Sequence, residues 1–397
     1  MLKIQHLIIY ALTISVFSFG SNHKRNKSNV IVGANQILEY QNIIKNKRIG
    51  IIANHTSVIF KDNGEYTHLI DSLVSLNYNI KKIFAPEHGF RGTKPNGENI
   101  NDDIDENSGL QIISLHGKQR NYGEIKSEDL SDIDILIFDL QDVGVRFYTH
   151  LSILHYAMLA SSVNDVPIII FDRPNPNSHY VDGPILDLEN KSFVGLHPVP
   201  VVYGLTIGEY AKMINGEDWL GISKKADLTV IKLKNYNRNK IYELPIPPSP
   251  NLPNSKAINL YPSLCLFEGT NVSVGRGTNL QFQIYGSPNL NKKTNKFYFI
   301  PKKNIGSKYP KNENEICFGK DLRSEKKLNE INLNYIIDAY NSSSDKTNFF
   351  NNYFIKLSGD ENLKNNIVLG KSSDDIKKEW TKGIDTFEKL RKKYFLY

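Results

Sequence analysis

Five short apolar runs, each closing on polar side chains, constrain what this chain can fold into more than any other feature. They span residues 49–53, 80–85, 110–115, 133–140 and 166–171. Each is rich in β-branched residues and nearly continuous in apolar character, as strands buried on both faces of a parallel sheet are. Between them, 66–76 and 148–160 carry apolar residues at helical spacing. The alternation predicts an α/β, doubly wound domain. Ligands of such sheets bind outside the carboxyl ends of the strands, so the residues that end each run carry the interest. They are Asn54-His55-Thr56, Glu87-His88, His116, Asp139 with Gln141 and Asp142, and Asp172-Arg173. Capping of the following helices and turns accounts for Asp172 and Asp142; it accounts poorly for Glu87, His88 and Arg146.

The texture changes at 245–253, where five prolines forbid helix and interior strand. This reads as an extended connector between the α/β domain, 30–252, and a smaller α+β domain, 256–397. In the latter, 282–285 and 296–300 read as strands and 331–340 and 374–394 as helices, with 292–314 a polar surface loop. Residues 1–21 read as a secretory signal peptide: Lys3, an apolar run over 7–19, then small residues Ser18, Gly20 and Ser21. The run is short of the ~20 residues a spanning helix needs. The expectation is an exported protein, periplasmic or extracellular, with no stable membrane insertion after cleavage. A net charge of +7 over 397 residues is modest and gives no reason to expect a nucleic-acid partner. Two cysteines exclude a disulfide scaffold and a multi-Cys zinc site. Cys265 and Cys317 lie in apolar settings that predict buried free thiols, although export would permit a bond between them.

There is no G-x-x-x-x-G-K-[ST], no G-x-S-x-G and no H-E-x-x-H. Gly275-Arg276-Gly277 has Leu280 where a dinucleotide fingerprint needs its third glycine. No metal or cofactor is expected. Glu87 follows Phe84-Ala85-Pro86, apolar company that raises a carboxyl pKa and suits a general acid, with His88 placed to orient it. An ion pair of Glu87 with Arg91 is the structural alternative. In 139–150, Gly144 permits a tight turn that would present Asp142 and Arg146 at the rim, with Tyr148 close by; arginine binds carboxylates bidentately. In 267–278, Glu268, Asn271 and Arg276 would close the cleft from beyond the connector, or form a turn with a surface salt bridge.

These stretches resemble the NamZ-type exo-β-N-acetylmuramidases, first catalogued as a domain of unknown function. The likeness runs through 83–92, 137–150, 171–177, 192–217, 248–254, 261–278 and 370–397, in order, and covers roughly 30–397. It implies a Rossmann-like N-terminal domain, a smaller C-terminal domain and a site between them. It also implies release of β-linked N-acetylmuramic acid from the non-reducing end of peptidoglycan fragments. The lactyl carboxylate of that sugar explains a cluster of Arg146, Arg173 and Arg276. On this reading Glu87 is the general acid, tuned by His88, and Asp142 or Glu268 the second carboxylate. Arg146, Arg173 and Asn175 hold the lactyl and N-acetyl groups. Asn54, Arg91, Tyr148, Asn271 and Arg276 complete the substrate contacts. Relatives often carry His at the position of Tyr203, so no role transfers to it. The alternatives are a metal-dependent hydrolase or deacetylase using His55, His88, His116 and Asp142, and a non-catalytic cell-wall binding module.

Overall fold

The structure, a computed structural model, describes residues 30–86, 90–91, 102–116 and 121–397. The expected signal segment, Glu87 and His88 lie outside the described residues.

The N-terminal unit is a seven-stranded sheet. Its strands are β1 (Ile49–Ala53), β4 (Ile80–Ala85), β5 (Asp103–Ile104), β6 (Gln111–Ser114), β7 (Ile135–Asp139), β8 (Ile168–Phe171) and β9 (Leu228–Ile231). The order across the sheet is β5-β6-β4-β1-β7-β8-β9. All neighbours are parallel except the edge strand β5. Taken without β5, that is the 3-2-1-4-5-6 order of a Rossmann sheet. Strand β1 is buried at all five residues, because both faces of the sheet are covered. Ile52, Phe84, Phe138 and Ile170 face one core, packed under α4 (His150–Val163) and α5 (Ile207–Gly216). Ile51, Ile83, Ile137 and Ile169 face the other, with α1 (Ile37–Ile44) and α2 (Leu69–Ser75).

The run 66–76 differs from the helix its spacing predicts. Tyr66–His68 is a strand, β3, paired antiparallel with β2 (Val58–Phe60), and only then does helix α2 begin. His68 caps it, accepting from the Ile70 amide at 3.2 Å. A short helix α3 (Ser127–Leu130) precedes β7.

The smaller C-terminal part has an antiparallel sheet, β10 (Ile284–Ser287), β11 (Phe297–Phe299) and β12 (Cys317–Asp321), in the order β10-β12-β11. Helices α6 (Ser255–Leu264), α7 (Asn334–Ser342), α8 (Tyr353–Ser358), α9 (Glu361–Val368) and α10 (Ser373–Arg391) surround it. Cys265 and Cys317 are buried and free. The proline-rich stretch is not a loose connector: Pro248, Ser249, Asn251 and Leu252 are buried. The end of the chain returns to the first unit. The Arg391 guanidinium donates to the Gly204 carbonyl at 2.7 Å, and the Tyr397 hydroxyl to Asp172 at 2.7 Å.

Candidate active site

The strand order reverses between β1 and β7, and the crevice beyond their carboxyl ends is where an open α/β sheet binds ligands. Here the chain fills the floor of that crevice itself. Asn54 Oδ1 accepts from the Thr56 amide at 2.9 Å and the Thr56 hydroxyl at 2.6 Å. The Thr56 hydroxyl accepts in turn from the Gln141 amide at 3.2 Å, and the Ser57 hydroxyl donates to the Asp139 carbonyl. Arg173, expected to hold substrate, forms a two-pronged pair with Asp139 at 2.6 and 2.8 Å, both side chains fully buried. Asn175 accepts from the Asn177 amide and donates to the Leu205 carbonyl, each at 2.8 Å. Gly144, at φ +78°, is required beside it, since any Cβ there would collide with the Asn175 side chain. Asn54, Arg173 and Asn175 are therefore framework that holds the rim loops in register, and the structure does not bring them to an open surface.

Arg146 departs further from expectation. It does not present its guanidinium at the rim. Nη1 donates to the carbonyls of Pro184 and Val199 at 2.9 and 2.7 Å, and Nη2 to those of Leu357 and Ser358 at 3.0 and 2.5 Å. Nε is buried as well. Burial pulls its pKa down to about 10. Two of these acceptors close helix α8, so Arg146 ties the two parts of the chain together. Arg91 is likewise committed, to Asp105 at 2.8 Å and Asp71 at 3.2 Å, with its guanidinium 4.5 Å from the Phe90 ring centroid.

Asp142 lies beneath the rim. One carboxyl oxygen accepts from the Gly144 amide at 2.7 Å and from the Tyr203 hydroxyl; the other is buried with no hydrogen-bond partner among the described residues. Burial pushes its pKa up to about 6, against the pull of Tyr203 and the Gly144 and Val143 amides. A carboxyl whose folded pKa exceeds the ordinary 3.8 contributes stability below that value and loses it as pH rises through about 6. Asp142→Asn removes this term. Its stability deficit relative to the parent is expected to shrink by about 2–3 kcal/mol between pH 4 and pH 7. Urea midpoints at the two pH values check it; a deficit constant across the range would mean Asp142 is not the titrating group.

The open site lies one layer outward, where the loop after β7 meets the C-terminal part. A cavity of about 180 Å³ is lined by Tyr148, Ser249, Asn251, Tyr261, Glu268 and Arg276, among others. That is smaller than the ~300–1,000 Å³ of pockets for drug-sized ligands, and suits one ring rather than a threaded chain. Glu268 accepts from Arg276 Nε at 3.0 Å, and the guanidinium lies 5.2 Å from the Phe282 ring centroid. Burial works against the Arg276 charge, but Glu268, Tyr261 and Cys265 outweigh it and hold the pKa above its ordinary value. The Tyr148 hydroxyl donates to the Pro248 carbonyl at 2.9 Å. Asn251 donates to the Gly306 carbonyl at 2.8 Å, while its Oδ1 is buried with no partner among the described residues. Both polar atoms of the Asn271 side chain are in the same condition. A larger hollow of about 470 Å³, lined by Lys47, Ser127, Asp134 and Asp165, opens at the amino edge of the sheet, away from all of these groups.

Of the expected residues, Tyr148, Glu268 and Arg276 thus meet in one cavity. His55 stands near it, its Nε2 2.9 Å from the Pro247 carbonyl. Among the described residues, no three His, Cys, Asp or Glu side chains gather as a metal site. Sequence reasoning missed Ser249, Asn251 and Tyr261. The signal was present in Pro248-Ser249-Pro250-Asn251, where polar side chains alternate with residues that stiffen the backbone, but it read as a connector.

Models of the N-terminal and C-terminal parts of the exo-β-N-acetylmuramidase NamZ match residues 49–256 and 259–397. The peptidoglycan β-N-acetylmuramidase NamZ of Bacillus subtilis (strain 168) is 35% identical over 398 residues, covering 95% of this chain and 93% of that protein. Two crystal structures of DUF1343 family proteins from Bacteroides fragilis NCTC 9343 share the fold. One is 46% identical with a TM-score of 0.83, covering 93% of this chain and 99% of its own. The other is 27% identical with a TM-score of 0.76, covering 94% and 100%. With a parallel-sheet unit, a smaller partner and a carboxylate-bearing cavity where they meet, this chain belongs to the NamZ exo-β-N-acetylmuramidase family of glycosidases.

Proposed function

We propose that the protein is an exported hydrolase that releases terminal β-linked N-acetylmuramic acid from the non-reducing end of peptidoglycan fragments, in cell-wall turnover. The observation that carries this reading is the single-ring cavity in which a carboxylate and a guanidinium lie together. A pocket sized for one ring favours attack on a chain terminus; the guanidinium gives a lactyl carboxylate its counter-charge. The apolar run at 7–19 supports export to the compartment where peptidoglycan lies.

In this mechanism Glu87 protonates the leaving glycosidic oxygen. Glu268, on the cavity wall, is the second carboxylate and either activates water or stabilises the oxocarbenium-like state. Arg276 orients Glu268 through its 3.0 Å hydrogen bond and meets the lactyl group. The direct test is incubation of the chain with N-acetylmuramyl-β-1,4-N-acetylglucosamine. Free N-acetylmuramic acid should appear, and none should be released from a disaccharide whose non-reducing end is N-acetylglucosamine.

Arg276→Gln separates the role of the guanidinium from that of Glu268. Turnover should fall on every substrate, because Glu268 loses its partner. The KM for N-acetylmuramic glycosides should rise a further ten- to hundredfold over that for analogues lacking the lactyl group, as expected for a charged hydrogen bond of ~1.5–3 kcal/mol. An equal rise on both classes would mean that Arg276 only positions Glu268.

A further inference from the structure

The cavity accounts for one sugar. Beyond it, on the same rim, aromatic side chains form a row that the proposed chemistry does not use. His116 follows β6 and lies 4.8 Å, centroid to centroid, from Tyr122. Tyr122 lies 5.4 Å from Phe193, and Phe193 stacks at 17° and 6.3 Å on Tyr156 of α4. The inner members are partly buried, but Tyr122 keeps 52% of its surface exposed. Tyr122 thus leaves a ring face open to water, and tyrosine combines an apolar face with a wet edge.

Two local features hold this row in place. Ser192 and Gly195 exchange backbone hydrogen bonds at 2.9 Å in both directions, closing a turn with Phe193 and Val194 at its tip, and the Ser152 hydroxyl donates to the Phe193 carbonyl at 2.6 Å. Gly123, at φ +81°, lets the chain pass so close that a Cβ there would stand 2.7 Å from the Tyr156 ring and 3.0 Å from that of Phe193. The turn also links the row to the cavity. Val194 lines the cavity with Glu268 and Arg276, while its neighbour Phe193 belongs to the row. The cavity and the row therefore share one turn.

We propose that Tyr122, Phe193 and Tyr156 form a second carbohydrate subsite, which binds the leaving-group side of a glycan whose terminal residue occupies the cavity. Pyranose rings present apolar C–H faces that stack on aromatic rings while their hydroxyls stay in water. A row of rings beyond a one-sugar pocket gives successive sugars such faces. This inference rests on reading the cavity as the terminal-sugar pocket.

The test uses three substrates and the Tyr122→Ala variant of the full chain. N-acetylmuramyl fluoride has a leaving group without a ring; the natural disaccharide adds one sugar, and a tetrasaccharide adds three. Loss of a stacked ring is worth roughly tenfold in binding. The variant should therefore show a KM raised roughly tenfold on disaccharide or tetrasaccharide relative to its change on the fluoride, and Tyr122→Trp should restore it. An equal change on all three substrates, or none on any, overturns the subsite. A non-hydrolysable thio-linked disaccharide separates this failure from failure of the enzymatic reading. Tyr122-dependent binding by a parent chain that turns over no substrate would keep the subsite and sink the hydrolase. Binding indifferent to Tyr122 would sink the subsite.

Discussion

Glu87→Gln is expected to abolish most turnover on the natural disaccharide while leaving the melting temperature and ground-state sugar binding nearly unchanged. This is the largest catalytic effect expected of any single substitution here. Gln matches Glu in shape and still forms hydrogen bonds, but it has no proton to give the departing oxygen. General acid assistance is worth ~10²–10⁴-fold and appears in kcat. The segment leading to Glu87 is apolar and buried at Phe84, Ala85 and Pro86. The discriminating measurement varies the leaving group. A nitrophenyl glycoside departs with little protonation, so it should lose far less activity than the disaccharide. Equal losses on both, in a variant that melts like the parent, would remove Glu87 from the acid role and pass it to Glu268.

The parallel sheet was legible because its strands are buried on both faces, so that burial alone wrote their sequence. Runs 49–53 and 80–85 coincide with β1 and β4, and the other three exceed β6, β7 and β8 by one or two residues at their ends. Where pairing is non-local, the pattern misled. Tyr66–His68 has helical spacing but is captured by Val58–Phe60 across a turn. Helix α6 contains Pro262, a residue that argues against helix from sequence alone. It survives because the Ile258 carbonyl, which would lose its helical donor, accepts from the Asn177 side chain at 3.2 Å instead. The site was legible in kind but not in membership. Polar residues do crowd the carboxyl rim, yet Asn54, Arg173 and Asn175 satisfy one another's loops there. Nothing in a local sequence distinguishes an arginine aimed at a ligand from one aimed at main-chain carbonyls. For Arg146 that choice is made by Leu357 and Ser358, more than 200 residues away.

That distance makes Arg146 the position where substitution should cost the most stability. In Arg146→Met, four buried carbonyls lose this donor, and that of Val199 keeps another, the Leu186 amide at 3.1 Å. Each unsatisfied buried acceptor costs ~1–3 kcal/mol, and because they share one site their costs do not simply add. A total of about 3–5 kcal/mol is the expectation, close to that for removing one partner of a buried ion pair and large against a typical stability of ~5–15 kcal/mol. Arg146→Lys should recover only part of it, because one ammonium has three donors and no fork to span carbonyls from two parts of the chain. Since α8 is one end of this tie, the C-terminal part should loosen from the sheet first, and hydrogen exchange should rise in Tyr353–Ser358 before it rises in Ile49–Ala53. Glu268 and Arg276 belong to that same part, so activity should fall on all glycosides alike as the cavity loses its second wall. A loss confined to substrates with a lactyl group, in a variant as stable as the parent, would return Arg146 to the substrate contacts.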